Sequence, residues 1–193
     1  MNQLLGLGVP KSCVSSGGIY YYKDGREIPD VFHATFEFPN QELTLLYSAS
    51  LASSRHQDRI LLGHDAWMEV GSSLNVYPDG RSTRYQEKIK EGLIDLSRPM
   101  VSYQQGSRQI DAITSATEKY YADRGLIYTY AGQRRLDVTH LHLLEWLNGI
   151  RSNGKLSCPI DKGVEVTIAC HMATASYREN RRVEWDPVRR EIV

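Results

Sequence analysis

The sequence has few cysteines, and none close together. Cys13, Cys158 and Cys170 are an odd number with no CxxC pair, which fits reduced structural thiols rather than a disulfide frame or a zinc site. It also lacks an excess of charge: 23 Lys and Arg balance 23 Asp and Glu, so no overall field draws in nucleic acid or an anionic membrane. No apolar run approaches the roughly 20 residues that span a bilayer, and no basic stretch leads into an apolar core at the N-terminus. A cytoplasmic protein, with neither nucleic acid nor membrane as partner, is the expectation. Phosphate-cradling motifs are missing as well. There is no P-loop, and Gly6-Leu7-Gly8 runs into Val9-Pro10 and an extended segment, whereas a dinucleotide fingerprint needs a strand before it and a helix N-terminus after it.

What is present suits one soluble domain. The 193 residues are 41% hydrophobic, enough to bury a substantial core. Leu4 and Leu5 followed by Gly6, Gly8 and Pro10 read as the last turn of a helix, its glycine stop and a proline that bars continuation. The first half then reads as strands. Cys13–Tyr22 is rich in β-branched and aromatic residues, and turn chemistry follows around Asp24-Gly25. In the next segment Phe32, Ala34, Phe36 and Phe38 share one face while Val31, His33, Thr35 and Glu37 share the other. Glu42–Leu51 alternates likewise, with Leu43, Leu45, Tyr47, Ala49 and Leu51 on its oily side. Shorter strands are expected at Arg59–Leu62, Ala66–Val70, Leu74–Tyr77 and Arg81–Tyr85, with an excursion from Gln86 to Met100. Gly17-Gly18, inside a strand pattern, marks a bulge or a close backbone approach.

The second half changes period. Ile110, Ile113, Thr117, Tyr120 and Tyr121 follow helical spacing, as do Val138, Leu141, Leu144, Leu147 and Ile150. A third set, Val164, Ile168, Met172 and Ala175, begins after Asp161, read as its N-cap. Short strands are expected at Leu126–Tyr130 and Arg182–Trp185. Strands first and helices after predict an α+β fold: a large open, mostly antiparallel sheet with helices packed on one face.

Few residues announce chemistry. His140 and His142, two apart on a helix, point to nearly opposite sides and cannot chelate one ion; no metal site is expected. His171 adjoins a buried stripe, where a packing histidine outweighs a catalytic one. His33, His56 and His64 have no nucleophile or acid partner nearby in sequence and read as surface or interface residues. Lys23, Asp24, Arg26, Glu27 and Asp30 form the densest charge cluster, in which a solvated loop with internal salt bridges outweighs a substrate clamp. Ser53–Asp58 is a second polar loop open to either reading. The charge-mixed tail RENRRVEWDPVRRE reads as solvated surface.

Four blocks taken in order carry a resemblance: GGIYYYKDGREIPD, then YSASLASSR, then HLHLLEWLNGIRSNGKLSCPIDKG, then CHMATASYRENRRVEWDP. Together they resemble the C-terminal domain of the Gfo/Idh/MocA family, the glucose–fructose oxidoreductase and inositol dehydrogenase group, over nearly the whole chain. The most specific parts are the KDGRE-x-PD loop, the IRS helix end and the closing SYR-x(4)-V-x-WDP segment. The resemblance implies a two-domain enzyme whose N-terminal Rossmann domain binds NAD or NADP. The C-terminal domain then helps form the substrate pocket and the oligomer interface, and hydride transfer acts on sugars and related polyols. The family's Glu-Lys-Pro and Asp-x-x-x-His motifs, to which proton transfer is assigned, have no match here. Asp161, Glu179-Asn180 and His64-Asp65 also depart from the family pattern. The expectation is a single substrate-binding and oligomerisation domain over residues 1–193, without the cofactor domain, catalytic residues or a cofactor of its own, and preceded in the full protein by the front of the first helix. Within that reading Lys23, Arg26, Asp30, Arg55 and His171 lie near the pocket and hydrogen-bond a small sugar-like ligand. A second reading is a non-catalytic binding or oligomerisation module that forms a homo-oligomer through the sheet face bearing His33, Thr35, Glu37, Thr44, Leu46, Ser48 and Ser50.

Overall fold

The computed structural model describes residues 2–55, 59–71, 73–104, 130–131, 134–135 and 138–193. They fall in two compact units, Met1–Arg55 with Asn148–Val193, and His56–Leu147.

The first unit begins with helix α1 (Asn2–Leu5), which stops at Gly6 with φ of +62°, the left-handed stop expected of glycine after a last turn. Strands β1 (Ser12–Gly18), β2 (Val31–Phe38) and β3 (Leu43–Ser50) follow. Near the C-terminus, β10 (Val183–Asp186) and β11 (Glu191–Ile192) complete a five-stranded antiparallel sheet of order β11-β10-β1-β2-β3. This is the α+β, open-sheet architecture that the residue pattern predicts. Phe36↔Leu45 and Ala34↔Tyr47 are cross-strand partners, so the oily faces of β2 and β3 coincide in register as a half-buried sheet requires. Helix α4 (Ile160–Glu179) packs on β1 and β10, and Met172 and Ala173 meet Cys13, Ala34, Phe36, Phe38 and Val183 in the core. Its N-cap is Pro159, with Asp161 in the first turn, a correction to the expected cap. The helix starts two residues earlier because Pro159, extended at ψ of 164°, sets the entry and its carbonyl accepts the Lys162 N–H. The buried side is Met172, Ala173 and Ser176, while Val164 is exposed.

Strand β1 stops at Gly18 and not at Tyr22, for a reason given below. Gly17 is a close approach: a Cβ there would lie 2.3 Å from the Val31 carbonyl oxygen. The opposite sheet face carries Val14, His33, Thr35, Leu46 and Ser48. Leu46 is 78% exposed there and Val14 48%.

In the second unit β4 (Arg59–Leu62), β5 (Ala66–Val70), β6 (Ser73–Pro78) and β7 (Val101–Gln104) form an antiparallel four-stranded sheet in that order. Trp67 and Tyr77, cross-strand partners, stack with ring centroids 4.2 Å apart. The strand expected at Arg81–Tyr85 is instead a set of turns. Asp65 gathers that segment, accepting the Ser82 hydroxyl at 2.7 Å and the Arg84 N–H at 3.1 Å, so these groups are not free for a ladder. Within the expected excursion, helix α2 spans Gln86–Lys90. Strands β8 (Tyr130–Ala131) and β9 (Arg134–Arg135) pair, and helix α3 spans Val138–Ser152. The apolar stripe of α3 forms a helix as predicted, but Leu144, Leu147 and Ile150 on it are exposed. The helix expected at Ile110–Tyr121, most of the strand expected at Leu126–Tyr130, and His56 lie outside the described residues.

Candidate functional site

The loop between β1 and β2 holds a hydrogen-bonded polar cluster of the first unit. Its anchor is Asp30, only 1% exposed. One carboxylate oxygen accepts the Tyr20 N–H at 3.0 Å, and the other accepts the N–H groups of Tyr21 and Tyr22, each at 2.8 Å. Three consecutive backbone donors thus turn inward to a side chain instead of outward to a neighbouring strand, which is why β1 ends at Gly18. The base is closed by the main chain: Asp30 N–H donates to the Gly18 carbonyl at 3.1 Å, and Leu51 N–H donates to the Asp30 carbonyl at 2.7 Å. These donors, that of Tyr20 foremost, hold the Asp30 carboxyl below its ordinary value.

Above this anchor lies a charged pair. The Arg26 guanidinium donates through Nε to one Asp24 oxygen at 2.8 Å and through Nη2 to the other at 2.6 Å, the fork geometry in which arginine binds carboxylate best. Its Cζ sits 4.1 Å from the Tyr22 ring centroid, a cation–π stack. The hydrogen bond from Arg26 pulls the Asp24 carboxyl down to about 2, so this side chain is an ionised acceptor at neutral pH. Asp24, Gly25, Arg26, Ile28 and Leu51 line an open cavity of about 420 Å³.

Of the residues expected to bind substrate, Lys23, Arg26 and Asp30 share this loop, but only Arg26 lines the cavity. Lys23 turns back, its Nζ donating to the Ile19 carbonyl at 2.7 Å, and Asp30 lies beneath with both oxygens engaged. Arg55 is exposed in the turn after β3, where its N–H donates to the Ser53 hydroxyl at 3.2 Å. His171 is elsewhere. It is exposed rather than packed and lines a separate cavity of about 380 Å³ beside Trp185, because its position on α4 falls just outside the face that meets β1. Sequence reasoning missed Tyr22 and Leu51. The Tyr20-Tyr21-Tyr22 run before Lys-Asp-Gly-Arg is the signal that an aromatic stack on arginine was available.

The Gly6-Leu7-Gly8 segment does not fit a dinucleotide. Gly6 and Gly8, with φ of +62° and +71°, follow a helix and precede a strand, so no helix N-terminus opens behind them to receive a pyrophosphate. Among the described residues, no group of three or more His, Cys, Asp or Glu is placed to hold a metal ion, and no helix is long and apolar enough to cross a membrane.

No family model and no curated protein matches the chain. Solved structures that match the chain include a candidate oxidoreductase, YvaA, from Bacillus subtilis, with a TM-score of 0.47 and 14% identity over 96% of this chain and 47% of that one. A candidate oxidoreductase from Bacteroides fragilis gives 0.48 and 12% over 96% and 47%. An NAD-binding protein from Listeria innocua gives 0.40 and 15% over 95% and 48%. The chain spans about half the length of each of these proteins.

Proposed function

We propose that this chain is the substrate-binding portion of an NAD(P)-dependent oxidoreductase of the Gfo/Idh/MocA kind, acting on a sugar or polyol, and that it does not turn substrate over alone. The observation that carries the reading is the Asp24–Arg26 pair in the very loop whose sequence, KDGRE-x-PD, carries the resemblance. A fixed carboxylate acceptor beside a fixed guanidinium donor matches the alternating donors and acceptors of adjacent hydroxyls, and the rigid base beneath removes the entropy of arranging them on binding. Lys23 and Asp30 are positioning residues in this reading, Arg55 flanks the pocket of the whole enzyme, His171 stands apart from it in a cavity of its own, and NAD or NADP belongs to a domain outside this chain. The test is titration of the chain with myo-inositol, glucose and NAD, followed by backbone NMR. Shifts at Asp24–Ile28 with the polyols and none with NAD are expected. Saturable NAD binding, or polyol shifts that spare the loop, would count against it.

A second reading, a homo-oligomerisation module, is favoured by one observation: Leu46 and Val14 are large apolar side chains exposed, among the described residues, on one sheet face. Such a face pairs isologously with a second copy. Light scattering during size exclusion decides the matter. A dimer that Leu46→Lys splits is expected, and a monomer at micromolar concentration defeats this reading.

A further inference from the structure

The groove between α4 and the C-terminal hairpin is a separate place in the first unit. Ile168 and His171 lie one turn apart on α4, Trp185 and Ile192 are cross-strand partners on β10 and β11, and Arg190 and Glu191 close the rim. The walls combine an apolar floor with donors that nothing engages. Among the described residues, the His171 ring, the Trp185 indole N–H and the Arg190 guanidinium make no hydrogen bond or ion pair, and no buried polar side-chain atom lacks a partner, so all three face solvent. The one carboxylate on the rim, Glu191, has one oxygen engaged by Arg189 at 3.3 Å. The groove therefore offers more free donor groups than acceptor groups.

The backbone adds an independent observation. Arg190 has φ of +58°, a conformation in which glycine is at ease and an L side chain is strained. Its N–H donates to the Asp186 carbonyl at 2.8 Å and closes the hairpin. Glycine would serve that turn with less strain, so the hairpin geometry alone gives no reason for a long cationic side chain at this position, whereas the groove does.

We propose that this groove binds a small organic carboxylate with an apolar body, the carboxylate received by Arg190 and His171 and the body lying over Trp185, Ile168 and Ile192. Guanidinium and carboxylate match in fork geometry, and an indole face with two isoleucines covers an aromatic or branched aliphatic group. This site does not depend on the polyol reading of the β1–β2 loop.

The probe is benzoate, with benzyl alcohol and inorganic phosphate as comparisons, added to the full chain while the Trp185 indole N–H resonance is followed. Saturable shifts with benzoate in roughly the millimolar range are expected, with little effect from the alcohol. Arg190→Gly relaxes the turn, so thermal stability should hold or rise while benzoate affinity falls about tenfold, the loss expected of a charged hydrogen bond. His171→Gln should weaken binding without altering the fold. No saturable benzoate response, equal binding of the alcohol, a response to phosphate alone, or unchanged affinity in Arg190→Gly would each overturn the proposal.

Discussion

Ser15 on β1 and Ser176 on α4 lock the helix to the sheet through both main chain and side chain. The Ser15 N–H donates to the Ser176 hydroxyl at 2.9 Å, and the Ser15 hydroxyl donates to the Ala173 carbonyl at 2.7 Å. Strand β10 pairs with β1 only as far as Ser12 and Cys13; beyond them, among the described residues, the edge of β1 has no strand beside it. The helix supplies the missing acceptor. The same Ser176 hydroxyl donates to the Arg181 carbonyl at 2.6 Å, so one oxygen completes a strand edge and ties down the chain leaving the helix.

Ser176→Ala therefore leaves a buried N–H and a carbonyl without partners. A buried group left unpaired costs about 1–3 kcal/mol, and urea unfolding of the variant should show a loss of at least that size. Ser176→Thr keeps the hydroxyl but adds a methyl group to a fully buried site, so it recovers part of the loss at most. A loss below 0.5 kcal/mol in the alanine variant, roughly the lower bound for an ordinary hydrogen bond, would show that the lock contributes little.

Gly17 and Gly18 separate close approach from mere crowding. At Gly17 the Val31 carbonyl oxygen lies 2.3 Å from where a Cβ would stand, and at Gly18 the nearest atoms are those of the Tyr20 ring, at 2.6 Å. Backbone cannot swing aside, whereas an exposed tyrosine ring can. Gly17→Ala should destabilise by about 1–3 kcal/mol, as overpacking does, and should weaken amide protection along β1 and β2. Gly18→Ala should have the smaller effect in the same hydrogen-exchange measurement.

Acid should act through the β1–β2 loop. Hydrogen bonds from Tyr20, Tyr22 and Tyr21 hold the Asp30 carboxyl below the ordinary 3.8, and Ser12, followed by Arg182, holds Glu37 below 4.5. In the unfolded chain these groups take up protons first as pH falls. The stability they contribute is complete above about pH 5 and is lost as pH drops through 4 toward the depressed folded values. Asp30→Asn offers one carbonyl oxygen where two carboxylate oxygens served three N–H donors. It should lower the unfolding midpoint at neutral pH and flatten the acid limb of stability against pH. An unchanged acid limb would assign that sensitivity to other carboxylates.

Short-range pattern carried much of this architecture. Alternation placed β2 and β3 with their inward faces, because a period of two admits only one buried side, and Leu5-Gly6 marked the end of α1. What escaped depended on partners distant in sequence. Asp65 turns Ser82–Arg84 away from a strand across some 17 residues, and nothing local to Arg81–Tyr85 signals it. Asp30 was legible as part of a charged loop but not as the buried acceptor that ends β1, since that role appears only when three N–H groups converge. His171 read as a packing residue because it neighbours Met172 in the chain; the helical turn of about 100° between neighbours is enough to move it from core to groove.

Thiol reactivity tests the core directly. Cys13 is buried between β1 and α4, and burial raises its thiol from the ordinary 9.0 to about 11; Cys158 and Cys170 are exposed. Because the thiolate is the species that reacts, iodoacetamide at pH 8 should modify Cys158 and Cys170 and leave Cys13 intact until the protein unfolds. In Ser176→Ala, where helix and strand are less firmly joined, Cys13 should label faster than in the native chain, at a rate that follows the loss of stability measured in urea. Mass spectrometry of the digested protein reads all three positions at once. Rapid labelling of Cys13 in the native chain would mean that α4 does not cover β1 as described.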